Sequence, residues 1–395
     1  MVDSEQKVEA FRAEFQDWLR RNLPDGWLDG NQAIPLDPVA RERMLRDWQK
    51  TLGAGGWSGI AWPVELGGRD ASALEQAVYE ECLAEVNAPP ILSRAGVGMI
   101  GHVLAKIGTE QQREKYIPRM LSGEDIWCLG LSEPDAGSDL ANVRTRAERN
   151  GDTFTINGSK IWTSVAHIAQ RCFLLARTTP NIGKHKGLTA FIVDMADPGV
   201  TVRPIEQMNG EYEFNEVFFD NVVVSVADVV GEVDGGWSTM MLHLGFERGF
   251  VASMAFRLPK LLARVADLRL AVGKDLSARE AGIADDQLAR LYARVEAAVL
   301  TYRRTLFEAA DPKQDGGIQA LVKLMCTELN KDIYEFGLWL LKADGVYWPV
   351  RTPTESSWQY DYLTSFSLTL GGGTAEIQRN IIGERLLGLP RDARG

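Results

Sequence analysis

Residues 152–164 read DTFTINGSKIWTS. Phe154 and Ile156 alternate with Thr153 and Thr155, the period-two pattern of a half-buried strand. Four later runs share this character: RCFLLARTT (171–179), GLTAFIVDM (187–195), VTVRPIE (200–206) and NEVFFDNVVV (215–224). They are rich in β-branched and aromatic residues and are split by Asn-Gly, Gly and Pro. Asn150-Gly151 and Asn157-Gly158 have the composition of hairpin turns. Residues 123–232 therefore form a β-domain.

Both flanks are helical. Val8, Phe11, Phe15, Trp18 and Leu19 recur at helical spacing, and the PDGW at 24–27 stops that helix. ASALEQAVYEECLAEV (71–86) is a second helix, opened by Asp70 or Ser72 and closed before Pro89-Pro90. TEQQREKYIPRMLSG (109–123) is a third, with Thr109 as N-cap and Glu110 in its first turn. Beyond the β-domain, Leu291, Val295, Val299, Tyr302 and Leu306 make one apolar stripe. Val322, Met325, Leu329, Ile333, Phe336 and Leu340 make a longer one. The order is helices (1–122), a β-domain (123–232), then helices (233–395), an α+β chain.

Composition removes several function classes. The 395 residues are 45% hydrophobic and 25% charged, as in soluble globular proteins. The net charge of −11 repels phosphate backbones, so nucleic acid is not an expected partner. Cys82, Cys128, Cys172 and Cys326 form no C-x-x-C pair, and the four histidines are equally dispersed, so no metal site is expected. Such cysteines read as reduced and buried in a cytoplasmic protein. No apolar run approaches the ~20 residues of a membrane span. The charged first residues read as a helix rather than a signal peptide.

Four stretches could carry chemistry. WCLGLSEPDAGSD (127–139) offers backbone N–H groups and the hydroxyls of Ser132 and Ser138 to an anion or a polar ring edge; alone, it is a tight surface turn. In KIWTS (160–164), Trp162 and Ser164 lie two apart on a strand and so share a face, one for a planar ligand and one for its edge. Alone, the pair reads as a core tryptophan with a solvated serine. In LGFERGF (244–250), Glu247 is a lone carboxylate among Met, Leu and Phe; an apolar pocket raises such a pKa toward that of a base. Read singly, it is a surface Glu247–Arg248 pair. LTLGGGTAEIQRN (368–380) places three glycines where an apolar run meets a polar helix start. Glycine there implies φ > 0 or a close approach.

Taken in order, SEPDAGSD, NGSKIWTS, FFDNVVV, GGW, FER and GGGTAEIQRNIIGERLLGLPR resemble the acyl-CoA dehydrogenase family over nearly the whole chain. The resemblance implies an N-terminal helical domain, a middle β-domain and a C-terminal four-helix bundle, with FAD between the last two. It implies that a glutamate takes a proton from Cα of an acyl-CoA thioester while flavin N5 receives a hydride from Cβ. Electrons then pass to an electron-transferring flavoprotein. By the same resemblance, Leu131 and Ser132 lie beside the flavin ring, and Gly137 and Ser138 near the flavin phosphates and the CoA arm. Trp162 packs on the isoalloxazine and Ser164 lies near N5. Thr374 and Glu376 match a Thr-x-Gln pair that contacts FAD, with Glu in place of Gln.

Two departures follow from the same comparison. Many members carry the base immediately before the Gly-Thr of the last motif, which here is Gly372. Other branches carry it in a Glu-Arg dipeptide, matched by Glu247 as base with Arg248 on the substrate side. Gly372 then leaves room for a bulky or α-branched acyl group. The Arg-x-x-Phe-Gly motif that reaches a neighbouring subunit's FAD is replaced by DLRLAVGKDLSAREA (267–281), and Gln-x-x-Gly-Gly by WLLKADG (339–345). The expectation is an α2β2 tetramer completed by a sister chain, similar to catalytic subunits of actinobacterial dehydrogenases acting on steroid side-chain CoA thioesters. The alternatives are a flavin oxidase or monooxygenase on the same fold, and a non-catalytic partner subunit. The retained Trp162, Ser164 and Glu247 oppose the latter.

Overall fold

The computed structural model describes residues 2–29, 33–35, 37–308, 317–348 and 357–390. Among these the helices are α1 (Val2–Asn22), α2 (Pro38–Ala54), α3 (Ala73–Glu85), α4 (Gly101–Ile107), α5 (Glu110–Leu121), α6 (Gly236–Ala252), α7 (Leu258–Ala271), α8 (Ala278–Glu308), α9 (Gly317–Leu341), α10 (Ala343–Val346), α11 (Trp358–Leu370) and α12 (Ala375–Ile381). The strands are β1 (Trp127–Gly130), β2 (Arg146–Asn150), β3 (Thr153–Ser164), β4 (Arg171–Arg177), β5 (Leu188–Asp194), β6 (Val200–Pro204), β7 (Phe214–Ser225) and β8 (Val229–Val230). The chain divides into two compact units, one of residues 37–71 and 89–247, the other of residues 1–36, 72–88 and 248–395.

The first unit holds the sheet, ordered β6-β7-β3-β2-β4-β5-β8, with β1 also paired to β4. β1 runs parallel to β4 over Arg171–Leu174, and β2 meets β4 only at Arg177, so the two share one edge of β4. Cys172–Ala176 and Leu188–Val193 are buried on both faces, which is why those runs read as almost unbroken apolar sequence. Val97, Ile100, Val103 and Leu104 pack with Tyr116, Ile117 and Met120 of α5 against the sheet residues Phe173, Leu175 and Ile192. Asn150-Gly151 turns β2 into β3 as expected, with Gly151 at φ +60.

Asn157-Gly158 is not a turn. It lies inside β3, where the register with β7 shifts between Ile156 and Gly158. The extra residue sits on β7, where Asn221 takes φ +52, and the Asn157 carboxamide bonds Asn221 on both sides, donating at 3.3 Å and accepting at 2.9 Å. Glycine is required at 158 by close approach: a Cβ there would lie 2.7 Å from the Thr145 Cα. A tertiary bulge thus uses the residues that elsewhere make a hairpin.

The second unit is helical. Both predicted stripes enter one core: Leu291, Val295, Val299 and Tyr302 of α8 meet Val322, Leu329, Ile333, Phe336 and Leu340 of α9, with α7 against both. The Leu306 side chain lies outside the described residues. Ser72, rather than Asp70, caps α3, in a capping box with Glu75. In the sheet-containing unit, Thr109 caps α5 in the same way with Gln112.

Candidate functional site

The bulge at the end of β3 aims the KIWTS residues. Lys160 pairs with Val217 and Thr163 with Asn215, so β3 carries one extra residue over that interval. Lys160 and Thr163 point into the buried face, and Trp162 and Ser164 lie off it. The indole of Trp162 is 57% exposed and touches the edge of the Phe214 ring at 6.2 Å. Trp162 adopts φ +61 and Val165, three residues on, φ +54. Left-handed backbone at a bulky and a β-branched residue costs energy and persists where the surroundings impose it, characteristically at functional sites. Thr163 and Asn215 pair across the strands, and Thr163 Oγ1 and Asn215 Oδ1 are both buried and without a hydrogen-bond partner.

The WCLGLSEPDAGSD stretch is tied directly to this strand. Lys160 Nζ, fully buried, donates to Glu133 Oε1 at 2.8 Å and to the Leu131 carbonyl at 3.0 Å. Ile161 N donates to the Ser132 carbonyl at 2.9 Å. Glu133 also accepts from Arg144 N at 2.6 Å and Thr145 N at 2.8 Å. Burial alone would raise the Glu133 pKa, but the Lys160 charge and these donors hold it below the ordinary value. Burial lowers Lys160 to about 8 against the pull of Glu133. Gly137 and Ser138 are exposed at the rim of the same loop, and a Cβ on Gly137 would meet nothing within 4 Å.

Glu247 is partly buried on α6. The preceding Phe246 stacks on the His102 ring at 4.7 Å, and His102 meets the Trp62 edge at 5.9 Å. One helical turn before Glu247, His243 is fully buried beside Phe173 at 5.8 Å, with neither ring nitrogen bonded. Burial pushes both His102 and His243 down to about 4, so both rings are neutral near pH 7. The Arg248 side chain lies outside the described residues.

In the helical unit, the three glycines follow α11. Gly372 takes φ +67 and Gly373 φ +89. Buried Lys323 of α9 donates to the Gly373 carbonyl at 2.8 Å, and buried Gln378 donates to the Gly372 carbonyl at 2.8 Å. A Cβ on Gly373 would lie 2.7 Å from the Gln378 amide nitrogen. Left-handed turns and these two close side chains are what glycine allows here. Thr374 caps α12 by accepting from Ile377 N, and Glu376, in the first turn, has its pKa lowered by a backbone N–H and by Thr374.

Segments 267–281 and 339–345 bond to each other. Lys342 of WLLKADG lies 3.2 Å from Glu280 and donates to the Asp275 carbonyl at 2.8 Å. Beside them Trp339, Trp348, Tyr362 and Leu363 line a cavity of about 640 Å³.

The sequence thus brings Leu131, Ser132, Trp162 and Ser164 into one knot in the sheet unit, and Gly372, Thr374 and Glu376 onto one turn in the helical unit. Sequence reasoning missed the Glu133–Lys160 pair, the buried His243 and the partly buried His102. A signal for the first was present: Lys160 has the same β3 phase as buried Phe154 and Ile156.

Comparison with known proteins agrees along the whole chain. Residues 5–124, 128–222 and 234–387 match the acyl-CoA dehydrogenase N-terminal, middle and C-terminal domains. The chain is 37% identical to acyl-CoA dehydrogenase IpdE1 of Mycobacterium tuberculosis, covering 99% of this chain and 100% of that one. It is 36% identical to acyl-CoA dehydrogenase FadE34 of the same organism, covering 84% of this chain and 44% of that one. Among solved structures, the Tcur3481-Tcur3483 steroid ACAD superposes with a TM-score of 0.84 at 31% identity, over 98% of both chains. The ChsE4-ChsE5 complex from Mycobacterium tuberculosis gives 0.81 at 27% identity, over 98% of both. The chain belongs to the acyl-CoA dehydrogenase family of FAD-dependent oxidoreductases.

Proposed function

We propose that this enzyme α,β-dehydrogenates a bulky acyl-CoA thioester, a steroid side chain being the favoured class, with Glu247 as the α-proton base. The observation that carries this reading is a substitution of places. The family's common base position is Gly372, in a left-handed turn, while Glu247 stands on α6 with its neighbour Phe246 pinned by His102. Stacking of Phe246 on the His102 ring holds the turn of α6 that carries Glu247. A partly buried carboxylate abstracts a proton more readily than a fully hydrated one.

The residues of the sheet unit fit a flavin. Trp162 presents an exposed indole on an outward face with the Ser164 hydroxyl beside it, and Leu131 and Ser132 are fixed against the same strand. Gly137 and Ser138 sit at the exposed rim for the phosphates and the CoA arm, and Thr374 and Glu376 serve as FAD contacts. Bound FAD supplies the acceptor for the hydride leaving Cβ. Arg248 and the side-chain-free Gly372 serve the substrate, and an electron-transferring flavoprotein takes the electrons onward.

We further assign the chain to an α2β2 assembly with a sister chain. The Tcur3481-Tcur3483 steroid ACAD and the ChsE4-ChsE5 complex, both similar in fold, pair two components, and Lys342 here bonds within its own chain. Four buried free cysteines suit a reducing cytoplasm. Glu247→Gln tests the base at nearly constant shape. Substrate no longer bleaches the flavin under anaerobic conditions although flavin stays bound; undiminished bleaching eliminates Glu247.

A further inference from the structure

We propose that the buried Glu133–Lys160 pair is a positioning latch that joins the two flavin-facing segments of the sheet unit and sets the affinity for FAD. The inference rests on the assignment of Leu131, Ser132, Trp162 and Ser164 to the flavin. The pair itself touches neither flavin nor substrate.

Four bonds make the latch. Lys160 reaches across β1 to the Leu131 carbonyl at 3.0 Å and the Glu133 carboxylate at 2.8 Å. Ile161 N closes on the Ser132 carbonyl at 2.9 Å, and Thr145 Oγ1 on the Ser159 carbonyl at 3.3 Å. The lysine stem passes beneath Gly130, where a Cβ would lie 3.6 Å from its Cγ and 2.8 Å from Cys172 Sγ. The Glu133 carboxylate then gathers Arg144 N and Thr145 N, which fixes the chain leaving the Gly137-Ser138 rim.

Position explains why a charge pair is used. Lys160 is the last ordinary residue of β3 before the bulge that turns Trp162 outward into φ +61. A bulge with a left-handed tryptophan needs an anchor immediately before it. An apolar residue in the Lys160 phase would fill the same space but could not hold the Leu131 carbonyl. Removing one partner of a buried pair leaves the other charge uncompensated, so the loop and strand separate together. Because both segments hang on the same ammonium, the two residues act as a unit.

The test is fluorescence titration of FAD into the deflavinated enzyme, with its sister chain where the assembly requires it, together with thermal unfolding. Lys160→Met and Glu133→Gln each raise the FAD Kd about tenfold or more, a fraction of what breaking a buried pair releases. Glu133→Gln keeps the side chain's shape and one acceptor, an amide oxygen for Thr145 N, and loses the acceptor for Arg144 N, so it serves as the milder variant if Lys160→Met does not fold. The double variant loses no more than the worse single one, as expected of coupled residues. Asp125→Asn is the control. Its carboxylate is 1% exposed and bonds Arg119 at 2.9 and 3.0 Å, but it bonds neither flavin-facing segment. It lowers the thermal midpoint while the FAD Kd stays within about twofold. Unchanged FAD affinity in folded Glu133→Gln, or an equal loss in Asp125→Asn, overturns the latch alone. A wild-type assembly that takes up no FAD overturns the flavin assignment and the latch with it.

Discussion

His243→Leu separates burial of a neutral imidazole from simple packing. His243 is fully buried on α6, four residues before Glu247, and neither nitrogen has a partner. Burial lowers its pKa from 6.5 to about 4. Between those values the unfolded chain binds a proton on this ring that the folded chain excludes. Stability therefore rises with pH across the window and is lost as acid is added. Linkage with those two pKa values gives a loss on the order of 1 kcal/mol from this one ring between about pH 7.5 and about pH 5.5. His102, lowered to the same value, adds a similar amount independently.

Leucine nearly matches the imidazole in volume and carries no polar atom. Packing changes of that kind cost less than about 1.5 kcal/mol and do not depend on pH. Removing two unsatisfied buried groups acts in the opposite direction, by about 1–3 kcal/mol each. The absolute change at neutral pH is thus a contest between the two, but the difference between the two pH values is not. Urea midpoints followed by tryptophan fluorescence, for both proteins at both pH values, measure that difference. The variant retains roughly 1 kcal/mol more of its stability on acidification than wild type does. A variant that weakens as steeply as wild type refutes the buried neutral ring.

Two further outcomes follow from the helical unit. Absorbance and solution mass of the chain purified alone show little flavin, and coexpression with a sister chain yields one flavin per two chains; full flavin in a homotetramer refutes the shared site. Gly372→Ala, forced into φ +67, destabilises the chain by about 1–2 kcal/mol and lowers turnover of bulky thioesters more than of straight ones. An unaltered ratio of the two turnovers in a folded variant removes Gly372 from the acyl pocket.

Local pattern carried the fold where one physical rule acted alone. The stripes of α8 and α9 and the N-cap at Thr109 needed only helical period and end chemistry, while the choice of Ser72 over Asp70 was left to the structure. The rule failed where tertiary contact took over a local signal. Asn157-Gly158 has a hairpin's residues, yet Thr145 and Asn221 draw it into a bulge. β1, β2 and β8 are short; β2 is held as the hairpin partner of β3, but β1 exists because β4 offers it an edge, a fact no local window contains. His102 and His243 were invisible for a similar reason. A lone histidine on a helix has no pattern, and only packing against Phe246 and Phe173 gives each its environment.

The two units also differ in how they use glycine and strain. At Gly372 and Gly373 the left-handed backbone is relaxed, and Lys323 and Gln378 merely hold its carbonyls. At Trp162 and Val165 the same region of conformational space is occupied by residues that resist it. A sheet needing only a bend there would be served by glycine, and an exposed indole returns little burial to offset the strain. The anchor that sustains it, the Glu133–Lys160 pair, is itself costly to bury. The pair ties the 131–133 loop to β3 one step before the strained backbone, and the proposed flavin site gives that strain its use, because it holds the Trp162 indole outward.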